Sequence, residues 1–298
     1  MSPVVTAVLS LFLLIGLAPL AEGLLRKFKA RIHSRQGPPI TQPYLDIAKL
    51  LVKEDLTPTQ SWVWRVAPAL ALGSTMVLAL FTPLGGKPAL GDAGDMIVFV
   101  YFASMAAVAI ILGGFASGNP YGAVGGSREM MMLLSVEPVM VIALFVAAYK
   151  AHSMTFAGVL ANHQASISMA IAGIAFLMAL QAQVGKLPFD IAEAEQEIME
   201  GPFIERSGPG LALFKWAMHS RLLIFSALLV TVFVPWPIIA HPGLSLLATL
   251  GKMAVVLLLV GLVDVVNPRV RIDQSMYYYS RVIIWVAALA LAFALIGA

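Results

Sequence analysis

Residues Lys186 to Gly208 read KLPFDIAEAEQEIMEGPFIERSG, and six of the sixteen acidic residues of this 298-residue chain fall between Asp190 and Glu205. Apolar runs long enough to cross a bilayer flank the stretch, so it reads as a charged insertion between membrane spans. Pro188 suits the first turn of a helix. A helix starting there puts Asp190, Glu193, Glu197 and Glu200 on one face, with Glu195 and Glu205 nearby. Like charges at that spacing repel unless some take up protons or meet cations, which predicts raised carboxyl pKa values and shared protons. The interleaved Phe189, Ile191, Ile198, Met199 and Phe203 suit a half-buried element rather than a free loop.

With 60% hydrophobic and 12% charged residues and a mean hydropathy of +0.89, the chain is too apolar for a water-soluble globule, in which charged residues make up about a quarter. Eight spans of about twenty residues are expected: Val4 to Leu25, Trp62 to Pro83, Met96 to Phe115, Met130 to Tyr149, Ile167 to Val184, Leu222 to Ile239, Leu244 to Val263 and Val282 to Gly297. The first lacks a basic n-region and is expected to remain a transmembrane helix. The fold reading is therefore all-α: one polytopic membrane domain over residues 1–298, with residues 186–220 folded as short amphipathic helices at one surface. Bends are expected near Pro19, Pro68, Pro138 and Pro235. No internal repeat of the kind that builds inverted-repeat transporters is apparent.

Sixteen of the nineteen Lys and Arg residues lie in the loops after spans one, three, five and seven or at their helix ends. By the positive-inside rule these loops face the cytoplasm and both termini face outward. The net charge of +3 follows from that asymmetry and calls for no nucleic-acid partner. Cysteine is absent, which excludes disulfides, thiolate zinc sites and Cys-ligated iron–sulfur clusters within this chain. The five histidines are scattered without metal-ligand spacing, so no metal or cofactor site is expected here. Gly113-Gly114 and Gly122 to Gly126 follow helical spans rather than a strand, which argues against a nucleotide loop.

Four ordered motifs carry a resemblance. Leu187 to Glu197 followed by Glu205-Arg-Ser-Gly208 resembles the signature of the H subunit of respiratory complex I and its relatives in membrane-bound energy-converting hydrogenases. Arg31-Ile-His-Ser-Arg-Gln-Gly-Pro38 with Gln42-Pro-Tyr-Leu-Asp-Ile-Ala-Lys-Leu50 resembles the first cytoplasmic loop of that family. Ser127-Arg-Glu129 through Val136-Glu137-Pro138 resembles its fourth helix, and Pro268-Arg-Val-Arg-Ile-Asp-Gln274 its last loop. The short link from Gly37-Pro38 to Gln42, Gly201-Pro202 in place of Gly-Phe, and the compact length resemble the formate hydrogenlyase branch. Arg206, where the family usually has Tyr, departs from both branches.

The resemblance implies a connector between a peripheral redox arm and antiporter-like membrane subunits in the prokaryotic cell (inner) membrane. The NiFe centre and iron–sulfur clusters would then lie in partner subunits, the hydrogenase large and small chains. Glu137, one third of the way into an apolar span, costs about 2.5 to 3.5 kcal/mol to insert when ionised unless paired or hydrated. It is therefore a candidate on a proton path with Asp190, Glu193, Glu195, Glu197, Glu200 and Glu205. Lys252 and Asp264 on the seventh span are expected to extend that path or pair with a carboxylate. Arg31, Arg35, Asp46, Arg269, Arg271 and Asp273 form the expected docking floor for the peripheral arm. The competing readings are the H subunit of a complex I-type quinone reductase, an autonomous cation-coupled transporter and a passive anchor.

Overall fold

The structure, a computed structural model, describes residues 3–84, 86, 88–90, 95–237 and 241–297. Its regular elements are helical: α1 (Pro3–Leu11), α2 (Ala18–Ile32), α3 (Gln42–Val52), α4 (Trp62–Phe81), α5 (Met96–Ala116), α6 (Pro120–Ala151), α7 (Phe156–Ala161), α8 (Ile167–Gln183), α9 (Glu195–Ile198), α10 (Gly208–Phe233), α11 (Pro242–Val266), α12 (Ile272–Tyr278) and α13 (Ile284–Ile296). Wider turns of π-helix, Phe12–Gly16 and Tyr279–Ile283, join α1 to α2 and α12 to α13. Among the described residues seven continuous segments are long and apolar enough to cross a membrane. The fifth expected span, α8, is 17 residues long, or about 26 Å, slightly short of a hydrocarbon core of ~30 Å.

Side chains cap the starts of α5, α6, α7 and α8. Asn119 accepts from the Tyr121 N–H at 2.8 Å ahead of Pro120 at the start of α6, and Ser166 caps α8 through the Met169 N–H. Such side chains satisfy donors that have no partner in the first turn. Near Pro19 the first span switches from π-helix to α2, and α10 stops at Phe233 ahead of Pro235. In contrast, α6 remains helical through Pro138.

Two departures from the sequence reading bear on the site. The sixth span was expected to begin at Leu222, with residues 186–220 forming an insertion; instead α10 begins at Gly208 and absorbs residues 208–220. Trp216, Lys215 and Arg221 interrupt the hydropathy there, yet Pro209 sits in the first turn and the helix is shielded by its neighbours. It is the central helix, packed against α2, α3, α4, α8 and α11 and buried over nearly its whole length.

The second correction concerns the acidic stretch. No long amphipathic helix starts near Pro188; helical geometry is confined to the single turn of α9 and the 3₁₀ turn Gly201–Phe203. Met199, Glu200 and Gly201 all have positive φ, a left-handed conformation that ends a right-handed helix. Gly201 is required as well by space, because a Cβ there would collide with the Ala192 carbonyl.

Pro202 seats on the glycines of the α5–α6 contact: a Cβ on Gly125 would lie 2.5 Å from its Cδ, and one on Gly114 would lie 3.2 Å from its Cβ. In a bilayer helices gain no hydrophobic drive from each other and associate through close packing of small residues. The glycine patch therefore serves as the seat of the acidic loop. Towards the other end of α5 large rings fill the core, with Phe99 edge-on to Phe156 and Phe225 at 5.5 and 6.1 Å.

Candidate functional site

Beneath that loop α6, α8 and α10 converge on a small cavity of about 20 Å³, lined among others by Glu129, Gln183, Asp190, Glu193 and Arg221. A void of this size holds about one water when polar groups line it. A second void of about 10 Å³ shares Glu129 and Gln183 and runs along α6 to Val136, one residue before Glu137. Arg221 is buried in the middle of α10 and donates to Gln183 Oε1 at 2.8 Å, leaving its Nε without a partner among the described residues. Burial raises the pKa of the Glu193 carboxyl to about 7, reinforced by the negative charges of Asp190 and Glu129 and opposed by Lys215 and Lys186. Among the described residues Glu193 forms no ion pair.

The expected carboxylate stripe is taken apart by individual partners. Asp190 pairs with Arg269 at 2.8 Å, Glu197 with Arg128 at 2.6 Å, and Glu200 approaches Lys215 at 4.0 Å. Glu205 accepts from Asn119 Nδ2 at 2.6 Å. Of the six acids, Asp190 and Glu193 share the cavity with Glu129; the Glu195 side chain lies outside the described residues. A short, turn-rich loop points neighbouring acids in different directions, where a continuous helix would have stacked them on one face.

Glu137 lies apart from these acids. It accepts from the Ser104 hydroxyl and opens into an outward groove of about 670 Å³, lined by apolar residues such as Tyr101, Leu134 and Phe145. It lies eight residues from Glu129, about 12 Å along the helix, and outside the small cavity. Among the described residues Lys252 joins no carboxylate: it donates to the Val234 carbonyl at 2.7 Å, beyond the last regular turn of α10. Asp264 pairs with Lys29.

A second buried charge centre brings α2 to the start of the acidic loop. Glu22 accepts two hydrogen bonds from Lys186 Nζ, both at 2.9 Å, and one from Arg26 Nε at 3.3 Å. Burial alone would lower the Lys186 pKa, yet the Glu22 carboxylate outweighs it and raises that pKa above its ordinary value. His219 is buried nearby on α10. Arg206 is held separately: its guanidinium lies 3.5 Å over the Trp64 ring and donates to the Trp64 carbonyl at 2.7 Å. Burial lowers its pKa to about 10 against the opposing charge of Asp55.

The expected docking residues divide as well. Arg35, Arg271 and Asp273 are exposed, whereas Arg269 is engaged by Asp190 and Asp46 by Gln42 at 2.8 Å and by Arg26 at 3.5 Å. Arg31 faces a groove between α2 and α11. Sequence reasoning assigned no site role to Glu129, Arg221, Gln183, Glu22 or Lys186. A polar residue inside an otherwise apolar run was the signal available for Glu22; for Arg221 it was hidden by starting the sixth span one residue too late.

Fold and site define a polytopic, all-α membrane protein with buried charge centres, and among the described residues no group of three or more His, Asp or Glu could hold a metal ion. The chain belongs to the NADH dehydrogenase family, which matches residues 4–295. It is 36% identical to formate hydrogenlyase subunit 4 of Escherichia coli K12 over 273 residues, covering 87% of this chain and 89% of that one. Hydrogenase-4 component C of the same organism is 37% identical, with 88% and 84% covered. The H subunit of NADH-quinone oxidoreductase from Syntrophotalea carbinolica is 28% identical, with 87% and 89% covered. A chain in the structure of the membrane-bound sulfane sulfur reductase, an archaeal respiratory membrane complex, superposes with a TM-score of 0.90 at 27% identity, covering 98% of this chain and 99% of that one.

Proposed function

We propose that this chain is the membrane connector of an energy-converting NiFe hydrogenase complex, docking a peripheral redox arm and coupling its electron transfer to proton or ion movement. The observation that carries the reading is the water-sized cavity where Glu129, Asp190 and Glu193 meet Arg221 inside the helix bundle. A carboxyl group titrating near neutrality exchanges its proton in response to modest changes in nearby charge. Arg221 holds a fixed positive charge between the two glutamates, so a proton on either one alters the affinity of the other. In this reading the acidic loop senses the arm, Glu193 takes up or releases the proton at its carboxylate, and Glu129 passes it along α6 toward Glu137 and the antiporter-like partners.

The branch rests on the higher identity to the formate hydrogenlyase and hydrogenase-4 chains than to the NADH-quinone oxidoreductase chain. Positive-inside asymmetry puts the basic loops on the cytoplasmic side, where exposed Arg35, Arg271 and Asp273 are free to meet the arm. NiFe and iron–sulfur centres belong, in this reading, to the large and small peripheral subunits. The test is purification of the native complex, followed by metal analysis and vesicle assays on one preparation. Nickel, hydrogen turnover insensitive to quinone-site inhibitors, and ion movement linked to turnover are expected. Inhibitor-sensitive quinone reduction without nickel would move the chain to the complex I role, and cation transport by the isolated chain would make it an autonomous transporter. The whole-chain likeness to the sulfane sulfur reductase complex favours a second reading, the same connector beneath a sulfur-reducing arm; sulfane sulfur reduction without nickel would select it.

A further inference from the structure

Four cationic side chains lie close together on α2, and their partners divide them into two pairs. Arg26 meets Glu22 and Asp46, and Lys29 meets Asp264. Lys27 and Arg31 have no ion-pair or hydrogen-bond partner among the described residues. They are spaced i, i+4 and so lie on one face of the helix. Both line a groove of about 430 Å³ between α2 and α11, which runs past Leu24 and Leu257 to Ala21 and Ala254.

We infer that this groove binds an anionic phospholipid, with its phosphate between Lys27 and Arg31 and one acyl chain lying along α2 toward Ala21. Arginine binds phosphate oxygens through two parallel N–H donors and lysine adds a point charge. From Arg31 to Ala21 the helix rises about 15 Å, one leaflet of a hydrocarbon core ~30 Å thick. The charge of the groove sets it apart from its counterparts: the outward groove at Glu137 and another of about 740 Å³ beside Tyr277 each contain a carboxylate, Glu137 and Asp273. An anionic headgroup is repelled there and attracted here. Gly261 keeps α2 and α11 close, since a Cβ would come within 2.6 Å of Leu25. The lipid thus braces the helix pair that holds the Lys29–Asp264 bridge.

The inference is independent of which redox arm the chain serves. The test is native mass spectrometry of the full complex after delipidation and transfer to nanodiscs containing phosphatidylglycerol or phosphatidylcholine. The wild-type complex is expected to retain phosphatidylglycerol selectively. Lys27→Gln with Arg31→Gln should reduce that occupancy at least tenfold, and Ala254→Phe, which fills the acyl-chain end of the groove with both charges intact, should reduce it severalfold. Equal retention of both lipids, undiminished occupancy in Ala254→Phe, or capture of a neutral quinone in place of the lipid would overturn the assignment.

Discussion

Glu22 and Glu193 both sit among cations at the same end of the molecule, and they differ in how they are paired. Glu22 is clamped by Lys186 in two hydrogen bonds and by Arg26 in a third. Glu193 shares its cavity with two other carboxyls and Arg221 and forms no ion pair among the described residues. Direct pairing fixes a charge, whereas a group crowded by like charge is free to take up a proton near neutral pH. The first centre is built to hold helices together and the second to titrate.

Replacing Lys186 by Met breaks the comparison most severely. It leaves the Glu22 carboxylate buried with Arg26 alone, and removing one partner of a buried pair costs about 3 to 5 kcal/mol. The complex should unfold at much lower temperature or fail to assemble, as read by thermal scanning in detergent. Near-normal stability would mean that Glu22 is already neutral or hydrated.

Glu193→Gln probes the opposite centre. With a folded-state pKa of about 7 against the ordinary carboxyl value of 4.5, the folded protein binds more protons than the unfolded chain between those values. Its stability therefore falls as pH rises through that window, by no more than about 1.4 kcal/mol per pH unit. The Gln variant should lose this dependence in melting curves taken across the window; an unchanged slope would assign the titration to another group.

Smaller effects mark the periphery. Arg206→Lys loses the planar stack on Trp64, and about 1 to 2 kcal/mol of stability should go with it, measurable as a lowered melting temperature. Glu197→Gln removes a half-exposed pair with Arg128 and should cost less than about 1 kcal/mol. A large loss there would show that the acidic loop is held by its rim rather than by Pro202 on the glycine seat.

Much of this architecture was legible in the sequence because apolar runs of twenty residues have few alternatives to a membrane helix. The span from Trp62 and the one from Met96 begin at the residues expected for them, and Asp95 caps the second by accepting from the Ile97 N–H. Where tertiary packing overrode the local signal, the reading failed. Arg221 and Lys215 made the beginning of α10 look like surface, and only the surrounding helices turn it into a core. The acids from Asp190 to Glu205 were rightly singled out as a group, but their partners on α6, α10 and the loop after α11 are distant in sequence. No period or spacing could reveal that Asp190 meets Arg269 or that Glu129 completes the cavity. Glu137 was recognisable as a costly charge in an apolar span, whereas its separate outward groove was not.

The central claim, that Glu193 titrates in the service of coupling while Glu22 holds structure, is tested most directly by ion movement per redox turnover. The assembled complex with Glu193→Gln should be reconstituted in vesicles and compared with wild type in the same assay. The account predicts that the variant assembles and turns over hydrogen while vesicle acidification per turnover falls at least tenfold. Full acidification at an unchanged ratio would contradict it.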